Sequence, residues 1–379
     1  MSKRLQTVIL GAGKIGQAIV RLLTDTGDYD VRVGDASADA LNAITQEHPV
    51  ETSQIDVADL SALKELLTGA DVVISACSFN VNPGIASVAA ACGASYFDLT
   101  EDVATTRAVR EIAAKAAEGQ IFMPQCGLAP GYISVLAYDL CQQFEKLQRV
   151  TMRVGALPLY PTNMLKYNLT WSTDGLINEY CNLCEAIRDG EKVDLQPLEG
   201  VEHFGLDGVD YEAFNTSGGL GTLCETLAGR VTDLDYKTVR YVGHRFLMNF
   251  LLDELEFRNN RGVLKELLES AVPCTNQDVV LVFATASGWR DGRYEQAADA
   301  RKIYHGDIAG QPASSIQITT ATSVCAAVDL FRLGKLPSRG FVRQEDMSLA
   351  DFEANRFGKP YAEATHIRAP ISSTIDALN

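Results

Sequence analysis

No apolar run in the 379-residue sequence approaches the ~18 residues that a membrane-spanning helix needs, so no spanning helix is expected. A basic excess is also missing: 33 Lys+Arg stand against 49 Asp+Glu, a formal net charge of −16. Such a chain cannot neutralise phosphates in number, and neither nucleic acid nor a membrane surface is an expected partner. Metal-ligand clusters are absent too. Cys181 and Cys184 form a C-x-x-C, but no second pair or Cys/His group completes a four-ligand site, and in a leucine-rich context they read as packing thiols. The nine cysteines, an odd number, do not make a secreted disulfide framework. The opening residues Met1–Gln6 lack the apolar core of a signal peptide, and the expected location is the cytoplasm.

What is present is an ordinary core-forming composition, 46% apolar and 22% charged, in a chain long enough for two or three domains. Thr7–Leu10 is a short apolar run, followed by Gly11-Ala12-Gly13-Lys14-Ile15-Gly16 and then by helical spacing from Gln17 to Leu23. A second strand follows at Tyr29–Val33. Strand, glycine turn, helix and strand make a βαβ unit with a parallel crossover. The alternation runs on through about six repeats, with strands at 51–55, 72–76, 95–99 and 120–123. The fold class is therefore α/β, a Rossmann-type doubly wound parallel sheet. Beyond Gly131 the pattern becomes mixed, with strand signals near 150–156, 166–173, 235–241 and 279–286, and a second, α+β domain is expected.

The glycine motif sits in the context that makes it informative: a strand before, a helix after, and Asp35 nineteen positions beyond Gly16. Gly11 permits the tight turn, Gly13 lets backbone approach a pyrophosphate, and Gly16 allows close helix–strand contact. Lys14 and Ile15 open the helix whose amides meet the phosphates. Asp35 accepts from both hydroxyls of an adenosine ribose and repels a 2′-phosphate, and Ala36, Ser37 and Ala38 supply no cation. The expected cofactor is NAD. Asp56, Ala76 and Cys77 follow later strand ends and are expected to line the same site. Asp56 reads equally as the N-cap of the next helix.

The sequence resembles the saccharopine dehydrogenase family, which includes lysine 6-dehydrogenase. The resemblance runs over residues 6–357 and rests on Val8–Gly16, Gln125–Gly131, Arg153–Pro158, Tyr167–Tyr180, Glu212–Gly219 and Asp235–His244. It implies a Rossmann domain built from both chain ends (1–126 with about 316–357) and a central substrate and dimerisation domain (127–315) with a mixed sheet. The tail 358–379 is expected to be loosely held. It also implies a homodimer, a small amino-acid substrate, and hydride transfer from an amine-bearing carbon to NAD. Imine hydrolysis then gives 2-aminoadipate 6-semialdehyde from lysine or from saccharopine. A carboxylated polyamine as substrate, or a non-catalytic NAD-binding metabolite sensor, are the alternatives.

Such a reaction needs a carboxylate anchor, a wall beside the nicotinamide and a group that moves protons. Asp98 and Glu101, in Asp98-Leu99-Thr100-Glu101-Asp102 after a strand end, are candidate acids, and the same segment reads as a helix cap. Cys126 is either a proton-transfer thiol or a packing thiol. Arg240, with Lys237 and Tyr241 beside it, offers a guanidinium for a carboxylate, and His244 is a candidate acid/base. Tyr167, Asn168 and Trp171, alternating along an expected strand, are candidates for the substrate pocket. Arg153 and Lys166 are further cations for a substrate with three carboxylates. Gly218, Gly219 and Gly221 are expected to form a flexible turn.

Overall fold

The structure is a computed structural model, and it describes residues 4–367. The chain folds into two compact units. The first holds the residues up to Asp139, Gly218–Thr226 and His305–Glu363. The second holds Leu140–Ser217, Leu227–Tyr304 and the described residues from Ala364. The sequence placed the first boundary at 126/127 and the return at about 316. By compactness the chain crosses between units at Asp139/Leu140 and Tyr304/His305, and the Gly218–Thr226 excursion carried no signal in the spacing.

The first unit contains a seven-stranded parallel sheet. Its strands are β1 (Leu5–Leu10), β2 (Tyr29–Asp35), β3 (Glu51–Gln54), β4 (Val72–Ser75), β5 (Ser95–Asp98) and β6 (Ile121–Met123), with Gly340–Phe341 at one edge. The spatial order runs from Gly340–Phe341 through β6, β5, β4, β1 and β2 to β3. The order reverses between β1 and β4, and ligands of open α/β sheets bind at such a switch point. Between the strands run α1 (Lys14–Thr24), α2 (Ala38–Glu47), α3 (Leu60–Leu67), α4 (Asn82–Cys92) and α5 (Val103–Ala113).

The apolar residues of β4 are buried throughout, as a strand covered on both faces requires. Val8, Leu10, Val73 and Tyr96 pack with Leu63, Leu66, Ile85 and Val109 into one core. Each large side chain there contributes about 1.5–3 kcal/mol. The long helix Ser315–Arg332, opened by a capping box at Ser314 and Gln317, packs against α1. The expected loose tail is partly built in. Tyr361, in the short helix Lys359–Ala362, is fully buried and donates to the Thr319 carbonyl at 2.8 Å, and Thr365–His366 pairs with a strand of the second unit. Residues 368–379 of that tail lie outside the described residues.

The second unit is built on a nine-stranded mixed sheet. Its principal strands are β7 (Lys146–Pro158), β8 (Cys184–Arg188), β9 (Glu191–Leu195), β10 (Glu202–Leu206), β11 (Val209–Asn215), β12 (Asp233–Tyr241), β13 (Asp278–Arg290) and β14 (Arg293–Tyr304). β12 pairs parallel with β7 and antiparallel with β11, while β7, β13 and β14 are antiparallel neighbours. One face carries Leu157, Tyr211, Val239 and Leu281; on the other, Phe214 packs with Tyr180, Leu252 and Leu264. The expected strand at 166–173 does not form. Its only pairing among the described residues is a bridge from Leu169 to Cys274, because Asn163 bonds the Tyr167 carbonyl at 2.7 Å and turns the chain locally. Among the described residues no helix is long and apolar enough to cross a membrane.

Candidate functional site

β1 ends at Leu10 and the chain turns at Gly11, whose φ of +98° lies in the left-handed region that favours glycine. A Cβ on Gly11 would stand 2.8 Å from the Ala76 carbonyl oxygen, and one on Gly16 would stand 1.8 Å from that of Gly11. Gly13 differs: a Cβ there would meet nothing within 4 Å, so the space before the turn is open. Helix α1 starts at Lys14 with no side-chain cap and no acid in its first turn. Its first amides are left to a ligand, and an anion suits them. Lys14 is exposed and Ile15 half-buried.

Asp35, at the end of β2, accepts from the Ala12 amide at 2.6 Å and from the Ser37 amide at 2.7 Å. Two carboxylate oxygens offer about four acceptor positions, so capacity remains for ribose hydroxyls. The Ala76 amide donates to Leu10 at 2.8 Å, which brings Ala76 and Cys77 beside the turn. Burial pushes the Cys77 thiol up to about 11. Asp56 is exposed and closes its own turn on Ala58, while Asp59 caps α3. The capping role read for Asp56 thus falls to Asp59. The bare turn, the uncapped helix start and the carboxylate together fit a dinucleotide.

Asp98 is fully buried. It accepts from the amides of Thr100 at 2.9 Å and Gln125 at 3.0 Å and from the Tyr96 hydroxyl at 2.8 Å. Burial pushes its carboxyl up to about 6, against the pull of those three donors. It ties the ends of β5 and β6 together and, contrary to the expectation, presents no surface to a substrate. Cys126 is likewise fully buried, contacts the Met123 carbonyl at 3.0 Å, and has its thiol pushed far up by burial. It is a packing thiol.

The capping reading holds for Asp102, which accepts from Thr105 at 2.7 Å at the start of α5. Glu101 alone of the five expected catalytic residues is only half-buried. Its carbonyl lies against Gly218, where a Cβ would come within 2.3 Å. The Gly218–Gly221 turn closes by the Gly221 amide on the Gly218 carbonyl at 3.0 Å, and just beyond it the Thr222 hydroxyl lies 2.8 Å from each oxygen of the buried Glu345, to which Thr226 also bonds.

In the second unit the structure brings Arg240, Tyr167 and His244 together around Tyr180. Arg240 Nε donates to the Tyr180 hydroxyl at 3.0 Å, and the same hydroxyl lies 3.0 Å from His244 Nε2. His244 Nδ1 is 2.8 Å from the Leu165 carbonyl. The guanidinium also sits over the Tyr167 ring, 5.2 Å from its centroid. Burial, then the Arg240 charge, lowers His244 to about 3. With both nitrogens engaged, His244 is a neutral structural residue and not the acid/base expected. Arg240 is 2% exposed, its Nη1 donates to the Val239 carbonyl at 2.8 Å, and the buried Glu179 acts on its charge. The hydroxyls of Tyr167 and Thr170 are buried and lie close to each other, Trp171 also facing the Tyr167 hydroxyl, without ideal hydrogen-bond geometry.

Lys237 and Tyr241 do not join this group, because alternate residues of a strand face opposite ways. Lys237 meets Glu202 on the other face, with Arg153, which pairs with Glu202 at 2.8 Å and Asp235 at 2.6 Å. Arg153, Lys237 and Arg188 hold the Asp235 carboxyl far down against its burial. Tyr241 donates to the Pro158 carbonyl and lies beside Tyr211. Asn168 is buried and bonded by Asn163, and Trp171 lies over Gly175, where a Cβ would be 2.4 Å from the indole. The hub of the cluster, Tyr180, had no role assigned from the sequence. Its partners lie 60 and 64 residues away, and no local pattern marks it.

The fold and the turn define an α/β protein with a Rossmann-type nucleotide unit and a mixed-sheet unit. Residues 7–123 match the family model for the saccharopine dehydrogenase NADP binding domain, and residues 127–357 match that for the saccharopine dehydrogenase C-terminal domain. The chain belongs to the saccharopine dehydrogenase family. One relative is the saccharopine dehydrogenase [NADP(+), L-glutamate-forming] of Saccharomyces cerevisiae, 25% identical over 191 residues. That match covers 48% of this chain and 42% of the relative, less than half the length of either. The solved structure of apo histidine-tagged saccharopine dehydrogenase (L-Glu forming) from Saccharomyces cerevisiae shares the fold. Its TM-score is 0.76 at 18% identity, over 96% of this chain and 99% of that one.

Proposed function

We propose that the protein is an NAD-dependent oxidoreductase acting on the amine-bearing carbon of a lysine-like amino acid with one carboxylate. The observation that carries the choice of substrate is the state of the cations. Of the four that the sequence offered for substrate carboxylates, Arg153 and Lys237 are committed to Glu202, Asp235 or both, and Lys166 donates to the Val242 carbonyl. Arg240 donates instead to a neutral hydroxyl, that of Tyr180, and to the Val239 carbonyl, with the buried Glu179 acting on its charge. One anchor suits lysine better than saccharopine, which has three carboxylates.

NAD, when bound, supplies the two-electron acceptor. The chain's own part is positioning and proton movement. The glycine turn and the start of α1 hold the pyrophosphate, and Asp35 takes the ribose hydroxyls. Asp35 and the neutral residues after it support NAD, although the family model carries NADP in its name. Arg240, with the Tyr167 and Thr170 hydroxyls, takes the carboxylate. In the nucleotide unit Glu101 is the candidate acid for proton movement, since the polar atoms of Asp98, Cys126 and His244 are all engaged within the protein. A second copy of the chain is proposed to dock on the partly open sheet face bearing Phe204, Phe283, Tyr294 and Tyr304, and sedimentation velocity would report a monomer if it does not.

Turnover of lysine and of saccharopine with NAD and NADP tests the reading. Lysine with NAD is expected to be the productive pair, and Arg240→Ala is expected to abolish turnover while NADH still binds. Saccharopine with NADP as the better pair would refute both choices, and an active R240A enzyme would remove the anchor.

A further inference from the structure

Residue Ala12, in the middle of the glycine turn, is held from both sides by side chains. Its amide donates to the Asp35 carboxylate at 2.6 Å, and its carbonyl accepts from the Gln17 side-chain amide at 3.0 Å. Gln17 lies one turn into α1, and its backbone amide already closes the helix on the Gly13 carbonyl at 2.9 Å. Gln17 therefore fastens two successive carbonyls of the turn, one through its backbone and one through its side chain.

We infer that Gln17 is a positioning residue of the dinucleotide site, which with Asp35 clamps the two peptide groups flanking Ala12 and sets the turn before a ligand arrives. The inference rests on the dinucleotide reading given above. A trans peptide points its C=O and N–H in opposite directions. Fixing the Ala12 carbonyl toward Gln17 therefore aims the Gly13 amide away from the helix. That amide has no hydrogen-bond partner among the described residues, and the space at Gly13 is open. An unpinned turn rich in glycine samples many orientations of these peptides, and binding would have to order them. The clamp removes that cost in advance. Asp35 accordingly has two separable tasks, one toward the ribose and one toward the Ala12 amide.

Gln17→Met keeps length and helix propensity but loses the donor, and Asp35→Asn loses the charge and one acceptor. Two measurements separate the tasks. Amide hydrogen exchange at Ala12 and Gly13 is followed in the nucleotide-free protein. Calorimetry then gives Kd for NADH and for its analogue lacking both hydroxyls of the adenosine ribose. Q17M is expected to speed exchange at the turn and to weaken NADH and the analogue equally, by about three- to tenfold, the value of one neutral hydrogen bond. D35N is expected to weaken both as well, and NADH more than the analogue.

If the wild type binds NADH while Q17M binds both ligands within about twofold of it and exchanges no faster, the clamp is overturned and the dinucleotide reading stands. If the wild type binds neither ligand, the dinucleotide reading falls and takes this inference with it. A D35N variant that binds the analogue as tightly as the wild type would confine Asp35 to the ribose and also refute the clamp.

Discussion

The Nε of Arg240 donates to the hydroxyl of Tyr180 at 3.0 Å, and that bond fixes the direction of every other bond in the cluster. A guanidinium has no acceptor, so the Tyr180 oxygen must accept from it. The one Tyr180 proton then goes to His244 Nε2, which must be bare, and His244 Nδ1–H faces the Leu165 carbonyl. Tyr180→Phe breaks the relay at its centre and leaves Arg240 Nε and His244 Nε2 buried without a partner. The expected cost is about 2–4 kcal/mol of stability, read by urea unfolding. The KM of a carboxylate substrate should rise more than tenfold, with a smaller change in kcat. A Y180F enzyme with wild-type KM would show that the guanidinium does not need this hold.

The same relay predicts an acid-side weakness. His244 sits at about 3 in the folded protein, lowered by burial and by Arg240, against an ordinary value of 6.5. Between those values the unfolded chain binds a proton that the folded one does not, so stability must rise with pH. The stability from this residue is complete above about pH 6.5 and is lost as pH falls toward 3. His244→Asn should flatten that slope in thermal melts taken across the range. The pH–rate profile should keep its shape in H244N, because no proton in the reaction passes through the ring; a lost limb would return His244 to the chemistry.

Asp98 should show the opposite sign. Its folded value of about 6, raised by burial, lies above the ordinary 3.8, so the folded protein binds the extra proton between the two. Its contribution improves as pH falls from 6 to 4. Relative to Asp98→Asn, which does not titrate, the wild type should gain stability over that interval. At pH 7 D98N should still be the less stable, by about 1–3 kcal/mol, because its remaining oxygen keeps the Thr100 and Gln125 amides while its NH2 replaces the oxygen that accepted from the buried Tyr96 hydroxyl. A difference between the two proteins that does not vary with pH would mean that Asp98 is not buried as described.

The nucleotide unit was legible in the sequence because its signals are local. Gly11, Gly16 and Asp35 act through backbone conformation, close approach and a strand end, and each leaves a mark at fixed spacing. The second unit was less legible for a physical reason. Lys237 and Arg240 are neighbours in a block, yet strand geometry sends them to opposite faces. Tyr167 and Trp171 carry a β-like alternation, but a single side chain, Asn163, turned the segment away from the sheet. The exclusion of Asp98, Cys126 and His244 from the chemistry depends on burial with every polar atom already engaged, which no residue type announces.

That division of β12 into two faces gives the sharpest discrimination between the sequence block and the folded sheet. Lys237 lies with Glu202, Arg153 and Asp235, while Arg240 lies with Tyr180 and His244. Lys237→Met removes one of three cations around two carboxylates and leaves Arg153 to serve both Glu202 and Asp235. Its stem is replaced by one of similar length, so the loss is confined to charge and one hydrogen bond, about 1–2 kcal/mol in stability. Because that face holds no substrate anchor, the KM for lysine should stay within about twofold of wild type. Arg240→Lys, three residues along, keeps the charge but loses the fork that Tyr180 and a carboxylate share, and KM should rise at least tenfold. Steady-state kinetics on the two variants decides the matter: equal losses in KM would mean that both side chains reach the substrate, and the assignment of the two faces would be wrong.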